Sequence, residues 1–399
     1  MTQIARNLKL YFWSEFFGSI SFITPVITLF YLHRGLEYSD LFIMLLIWVI
    51  TTLLMEVPTG TFADKYGPKK SFIVGHSIKI FSIAILIFAF NKWLFYISAG
   101  LSALSFTFFS GSDQAFIYES LKELKRENEM SRVWGRIHSA AIFPSAITIL
   151  IGAYVAKDLA EDQFVLIISL GLLFNLIKFV LLVFLVPPKS FDHQEDKHSF
   201  DFVKSGFKNI LSQKDLVLLF VNESLVMIPT YVVIANENLI QPYFVASGIP
   251  IIFIGVIYSI DALASSFMLN SVKLAEKLFT RKTITYITGV MIGVAFFLGA
   301  LLDESVVLAL FVFFTVKIFF WLRYPLFQQI KNDYIPSNSR ATTLSLLSMV
   351  DSGFDVVILG TLGIISDMGI QTVFLVCGII VTFGLLFPVR VRIESKKNK

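Results

Sequence analysis

A chain of 399 residues that is 56% hydrophobic, 15% aromatic and only 16% charged has too little polar surface to fold in water, so it is expected in a bilayer. Its net charge of +4 comes from short cationic clusters between apolar runs, a pattern that sets membrane orientation and argues against nucleic acid as a partner. A single cysteine, Cys377, excludes an intrachain disulfide and a cysteine-only metal site.

A window of about twenty residues gives twelve apolar segments, near 8–32, 38–63, 71–90, 93–120, 134–156, 164–187, 216–246, 250–274, 282–302, 305–331, 341–365 and 370–389. The first is too long for a cleaved leader and reads as a span. Segments 2 and 3 are joined by a tight basic turn, Gly60-Thr61-Phe62-Ala63-Asp64-Lys65-Tyr66-Gly67-Pro68-Lys69-Lys70. Gly60 suits a close helix approach, Asp64 suits the start of the next helix, and Gly67 permits the reversal. Lys69 and Lys70 stay on the cytoplasmic side.

This spacing resembles the signature between helices 2 and 3 of the major facilitator superfamily of secondary transporters. Pro68 stands where the family usually has arginine. The resemblance implies an all-α membrane protein: twelve transmembrane helices in two pseudo-symmetric six-helix bundles. The short outer loops hold only Arg34, Lys92 and Lys157, so the excess of Lys and Arg on the other side places both termini in the cytoplasm. The location expected is the cell membrane, multi-pass.

The polar stretch 188–215 reads as a cytoplasmic linker between bundles at 1–187 and 216–399. Within it Phe200, Val203, Phe207, Ile210 and Leu211 recur at near-helical spacing, giving either a short surface helix or a tether. An internal repeat supports the division. Residues 63–70 return 212 positions later as 275–282, while Ser14-Glu15 returns as Asn222-Glu223 and Ser131-Arg132 as Ser339-Arg340, both 208 later. This is the parallel-repeat arrangement of that family.

Ionisable groups inside spans are costly and are functional candidates by default. In the family, helices 1, 4, 7 and 10 line the cavity, and this chain carries Glu15, Asp113, Glu223 and Arg323 on those segments. All four lie about 10–12 Å in from the inner ends at 1.5 Å per residue. The expectation is a cytoplasmic gate in which Asp113 and Arg323 pair, flanked by Glu15 and Glu223, with one acid able to carry a proton; the alternative is that each faces inner water or a loop cation. A second cluster joins Asp351 and Asp355, four apart on one helix face, to Lys317 at nearly the same depth, either as a structural ion pair or a proton site. Asn236-Glu237-Asn238 interrupts segment 7 near its outer end, so Glu237 faces either a substrate or the headgroups. Gln114, Tyr231 and Trp321 are the remaining cavity-wall candidates. Lys79 and Lys178 read as snorkelling cations.

No phosphate loop or His, Cys or acidic metal motif is present, so no cofactor is expected, and the chain is not expected to be an enzyme. Thr107 stands four before Gly111, where drug exporters of the family often carry arginine, and Phe143-Pro144-Ser145 replaces their Gly-Pro-rich motif. The function expected is proton-coupled secondary transport of a small organic solute, by an efflux antiporter working through alternating access. A proton-coupled importer is the alternative, a non-transporting receptor a more distant one, and sodium stays open as the coupling ion. The partners expected are substrate, protons and lipid, and the chain is expected to act as a monomer.

Overall fold

The computed structural model describes residues 3–188, 213–235, 239–301, 305–334 and 340–390, and among these the regular structure is entirely helical. The helices are α1 (Gln3–Gly18), α2 (Ile27–His33), α3 (Tyr38–Tyr66), α4 (Pro68–Phe88), α5 (Lys92–Phe109), α6 (Ser112–Glu123), α7 (Met130–Val155), α8 (Glu161–Val183), α9 (Lys214–Thr230), α10 (Ile240–Ala246), α11 (Ile251–Leu278), α12 (Arg281–Ala300), α13 (Val306–Tyr334), α14 (Arg340–Ser366) and α15 (Ile370–Gly384). Among the described residues, nine helical stretches are long and apolar enough to cross a membrane. The surface helix expected around 200–211, and Glu237, lie outside the described residues.

Three apolar segments expected to be continuous are interrupted. Segment 1 is split into α1 and α2, with Pro25 in the 3-10 turn Thr24–Val26 that starts the second piece. Segment 4 divides into α5 and α6 at Gly111, whose φ of 73° ends one helix and sets the entry to the next. In segment 7, Pro229 near the end of α9 cannot donate to the preceding turn, and the chain passes into a π-helical turn, Tyr231–Ala235, before α10. Proline alone does not break a helix here: α3, α7 and α13 run through Pro58, Pro144 and Pro325.

The chain forms two compact units, Met1–Asp196 with Pro250–Ala262, and Lys197–Ile249 with Leu263–Lys399. Residues 250–262, which follow the sequence boundary at 216, thus cluster with the first unit. There Ser259 Oγ donates to the Ala146 carbonyl of α7 at 2.9 Å. Within the first unit α4 packs on α5 and α8, and α1 packs on α7 and α8. Within the second, α12 packs on α13 and α15, and α9 packs on α14 and α15. The same order of neighbours recurs in each.

Each unit has an apolar core. Tyr11, Phe72, Phe116, Ile117, Ile137 and Leu182 form one, and Leu219, Phe220, Ile284, Leu326, Phe327 and Ile330 form the other. With lipid as apolar as these side chains, packing density and polar contacts decide how the helices associate.

The basic turn is shorter than the sequence implies. α3 ends at Tyr66, Gly67 alone makes the reversal at φ 85°, and α4 begins at Pro68. Proline is favourable at a first helical position, where its missing N–H is not needed. Because the turn is one residue long, Asp64 falls in the last turn of α3 and not at the start of α4. A Cβ added at Gly60 would meet nothing within 4 Å, so the close approach expected there is not the reason for that glycine. Lys65 and Lys70 both lie over the Tyr66 ring, at 5.2 and 5.7 Å from its centroid, and Lys69 sits in the first turn of α4.

Candidate functional site

The second unit is organised around three consecutive residues of α9, Asn222-Glu223-Ser224, which point to three different helices. Glu223 Oε1 is 2.9 Å from Lys331 Nζ on α13, and both side chains are only 8% exposed. Ser224 Oγ donates to Asp351 Oδ1 on α14 at 2.8 Å. Asn222 Nδ2 donates to the carbonyls of Gly384 and Phe387, each at 2.9 Å, capping the C-terminal end of α15.

The Asn222 oxygen accepts from Nη2 of Arg323, a side chain with no exposed surface. Arg323 Nη1 donates to the Thr285 carbonyl and, at 3.1 Å, to Thr288 Oγ1, both on α12. Its guanidinium lies 4.2 Å from the Phe327 ring centroid. In this unit three buried polar atoms, Glu223 Oε2, Arg323 Nε and Trp321 Nε1, have no hydrogen-bond partner among the described residues.

The first unit holds a second centre. Glu15 Oε1 on α1 is 2.9 Å from Lys178 Nζ on α8. Lys178 also lies 5.2 Å from the Phe109 ring centroid. On α4, His76 Nε2 meets the Asn175 carbonyl at 2.9 Å and Lys79 Nζ donates to Ser102 Oγ on α5 at 2.6 Å. Asp113 stands in the first turn of α6, where the helix dipole favours an anion, and accepts from the Gln114 N–H at 2.6 Å. Glu15 and Asp113 are close enough to act on each other, and both act on the buried Tyr11.

The four charges of the expected layer are thus brought together in twos within the units, Glu15 near Asp113 and Glu223 near Arg323. Among the described residues the acceptors of Arg323, on Asn222, Thr285 and Thr288, all lie in its own unit. Of the second cluster, Asp351 and Asp355 are neighbours as their spacing requires. Asp351, however, takes its hydrogen bond from α9 and feels the charge of Lys331, while Lys317 is buried with its ammonium 5.3 Å from the Phe313 ring centroid. Lys178 does not snorkel; it is drawn inward to Glu15. Gln114 and Tyr231 are exposed, and Trp321 is half-buried.

Sequence reasoning missed Lys331, Ser224, Thr285 and Thr288. Lys331 sits at the last position of an apolar segment, where a cation ordinarily marks the inner headgroups. Ser224, Thr285 and Thr288 are common in membrane helices, where back-bonding to the preceding turn hides them. One signal was available. Asn222 and Glu223 were both placed by the repeat, and two polar residues in succession inside a span require two partners.

A family model described as the Major Facilitator Superfamily matches residues 15–357. Multidrug resistance protein MdtH of Baumannia cicadellinicola subsp. Homalodisca coagulata is 27% identical over 128 residues, which are 32% of this chain and 29% of that curated relative's length. Among solved structures, the nucleoside transporter NupG superposes with a TM-score of 0.76 at 14% identity, over 97% of this chain and 98% of the other. A POT family transporter in complex with 5-aminolevulinic acid gives 0.73 at 13% identity, over 96% and 95%. A bacterial homolog to the human lysosomal transporter Spinster, in an inward-facing and unoccupied conformation, gives 0.69 at 12% identity, over 97% and 96%. At such identities the likeness is one of fold.

Proposed function

Because this chain belongs to the major facilitator superfamily, we propose that it is a proton-coupled secondary transporter that exports a small organic solute by alternating access. Membership of that family makes it a multi-pass membrane transporter of a small solute and not an enzyme. Our reading adds the cell membrane, both termini in the cytoplasm, a monomeric chain, and outward movement of solute against inward movement of protons. Efflux is favoured by the similarity of one stretch to a multidrug resistance protein.

The observation that carries proton coupling is Glu223. Its carboxylate is buried, one oxygen rests on Lys331 and the other has no partner among the described residues. Exchanging the ammonium for a proton changes the charge inside the unit by one, which lets such a group register a proton gradient. Glu15, with Lys178, and Asp113 supply the corresponding acids of the first unit.

The test is flux in proteoliposomes under imposed proton gradients of each sign. Protein carrying Glu223→Gln is expected to lose gradient-driven accumulation while keeping solute exchange in counterflow. Undiminished gradient-driven accumulation by that variant refutes the coupling role. Accumulation driven by the opposite sign of gradient establishes import instead, and dependence on sodium alone replaces the proton.

A further inference from the structure

Beyond the coupling residues, the second unit carries an aromatic shelf made by two helical segments. Tyr231 and Phe320 have ring centroids 6.2 Å apart at 29°, and Phe320 and Tyr324 have centroids 6.3 Å apart at 17°. Each tyrosine ring is therefore roughly parallel to Phe320. The middle one is buried, Phe320 being 4% exposed, whereas the flanking rings are open, Tyr231 at 50% and Tyr324 at 42%. Trp321 meets the edge of this set, edge-on to Phe320 at 5.2 Å and to Tyr324 at 6.4 Å, with its indole N–H buried.

Two features separate this shelf from ordinary lipid-facing aromatics. Tyr231 opens the π-helical turn that follows Pro229, and its successors Val232, Val233 and Ile234 are buried, so the irregular backbone turns this one ring outward. Single π turns inside helices recur at functional sites, and irregular backbone at membrane depth is found where it faces protein or a cavity. Second, Trp321, Tyr324, Gln328 and Lys331 follow one another on α13 at spacings of three, four and three, so they share a face. That face bears the cation that pairs with Glu223, which is not a face turned to hydrocarbon. Tyr324 stands two turns, about 10 Å, from Lys331 along it.

We propose that Tyr231 and Tyr324 form the recognition shelf for a flat aromatic or heteroaromatic solute, its ring stacking on the exposed tyrosine faces. The proposal rests on the transport reading above and names the substrate class for it. Two stacked faces discriminate by shape and polarisability. A saturated molecule of equal size and charge gains the burial but not the quadrupole term.

The test is equilibrium binding to the purified full chain in nanodiscs, read by fluorescence anisotropy. The probe is 9-aminoacridine, with tetrapropylammonium, a cation without a π face, as competitor. Wild type is expected to bind the acridine and to be insensitive to the competitor. Tyr231→Leu and Tyr324→Leu are each expected to weaken binding by about 3–10-fold, the range of one aromatic contact. Tyr231→Phe and Tyr324→Phe, which keep the ring, stay within about 3-fold of wild type, since only a hydroxyl is lost.

Equal binding by the Leu variants with wild-type melting curves overturns the shelf, as does displacement by tetrapropylammonium at comparable concentration. A Leu variant that melts early is replaced by Tyr→Met at the same position, which restores bulk without the ring. Acridine binding that persists in a protein showing no gradient-driven flux leaves the shelf standing and removes the transport reading. Flux without acridine binding does the reverse.

Discussion

Lys178 on α8 reaches Glu15 on α1, at 2.9 Å, through the volume that a side chain at Gly18 would fill: a Cβ there would lie 2.3 Å from Lys178 Cδ and 2.9 Å from its Nζ. One missing methyl group therefore holds open the route by which two helices are joined by charge. Glu15 is joined by its Lys to α8, whereas its repeat partner Glu223 is joined to α13, so the two halves use equivalent acids to fasten different helices.

Gly18→Ala is expected to push the ammonium of Lys178 off Glu15 and to reproduce the transport defect of Lys178→Met. The double variant should lose no more than either single one, because both remove the same contact. Solute exchange in proteoliposomes measures it, and additive losses would show that Gly18 matters for another reason.

Lys331→Met leaves the Glu223 carboxylate buried without its cation, and removing one partner of a buried pair costs about 3–5 kcal/mol. The unfolding midpoint of the detergent-purified protein should fall steeply. Adding Glu223→Gln to that variant should recover most of the loss, since a neutral amide needs no counter-charge. A double variant as unstable as Lys331→Met would mean that lysine packing, not charge, is what counts.

Arg34 predicts a stability effect far from the polar centres. Its guanidinium, 1% exposed, donates to the carbonyls of Leu86 and Ala89 at 2.8 Å and of Ile87 at 3.2 Å, closing the C-terminal end of α4, while Glu161 on α8 takes the remaining donors. Phe30 and Phe90 lie against it, their ring centroids 4.8 and 4.1 Å away. Arg34→Lys keeps the charge but not the planar fork. It should cost on the order of 2 kcal/mol, the worth of a charge-assisted bond, seen as a lower unfolding midpoint with little change in exchange per folded molecule.

The two glycines of the basic turn should behave oppositely. Gly67→Ala forces a side chain into φ 85° and ψ 156°, a region essentially confined to glycine, costing about 1–3 kcal/mol. Gly60→Ala enters a continuous helix with nothing within 4 Å of the new methyl, so stability should hold or rise by up to about 1 kcal/mol. Thermal melts of the two variants side by side decide this, and a Gly60→Ala variant melting well below wild type would restore the close-approach role.

How much of the site was legible can be followed residue by residue. Glu15 and Glu223 announced themselves, because a carboxylate in an apolar run is costly and because the repeat set them 208 apart. Their partners did not. Lys178 looked like a snorkelling cation, since what draws it inward is the notch at Gly18 on another helix. Lys331 looked like an ordinary positive-inside residue at a helix end. Arg323 stands out as a charge within a span, but its acceptors are a backbone carbonyl, a threonine hydroxyl and an asparagine oxygen, groups that carry no charge pattern to search for.

The sequence by itself determined the solvent, the helical class and the family, because apolar run length, cation distribution and the basic turn are properties of consecutive residues. It did not foresee where segments 1, 4 and 7 would break, since Pro58, Pro144 and Pro325 are absorbed in continuous helices while Pro229 leads into a π turn. Only the tertiary structure decided which cation met which acid. Pairing depends on helix rotation and depth, and in an apolar medium these are set by packing among distant segments, with side-chain volumes as small as one glycine deciding the outcome.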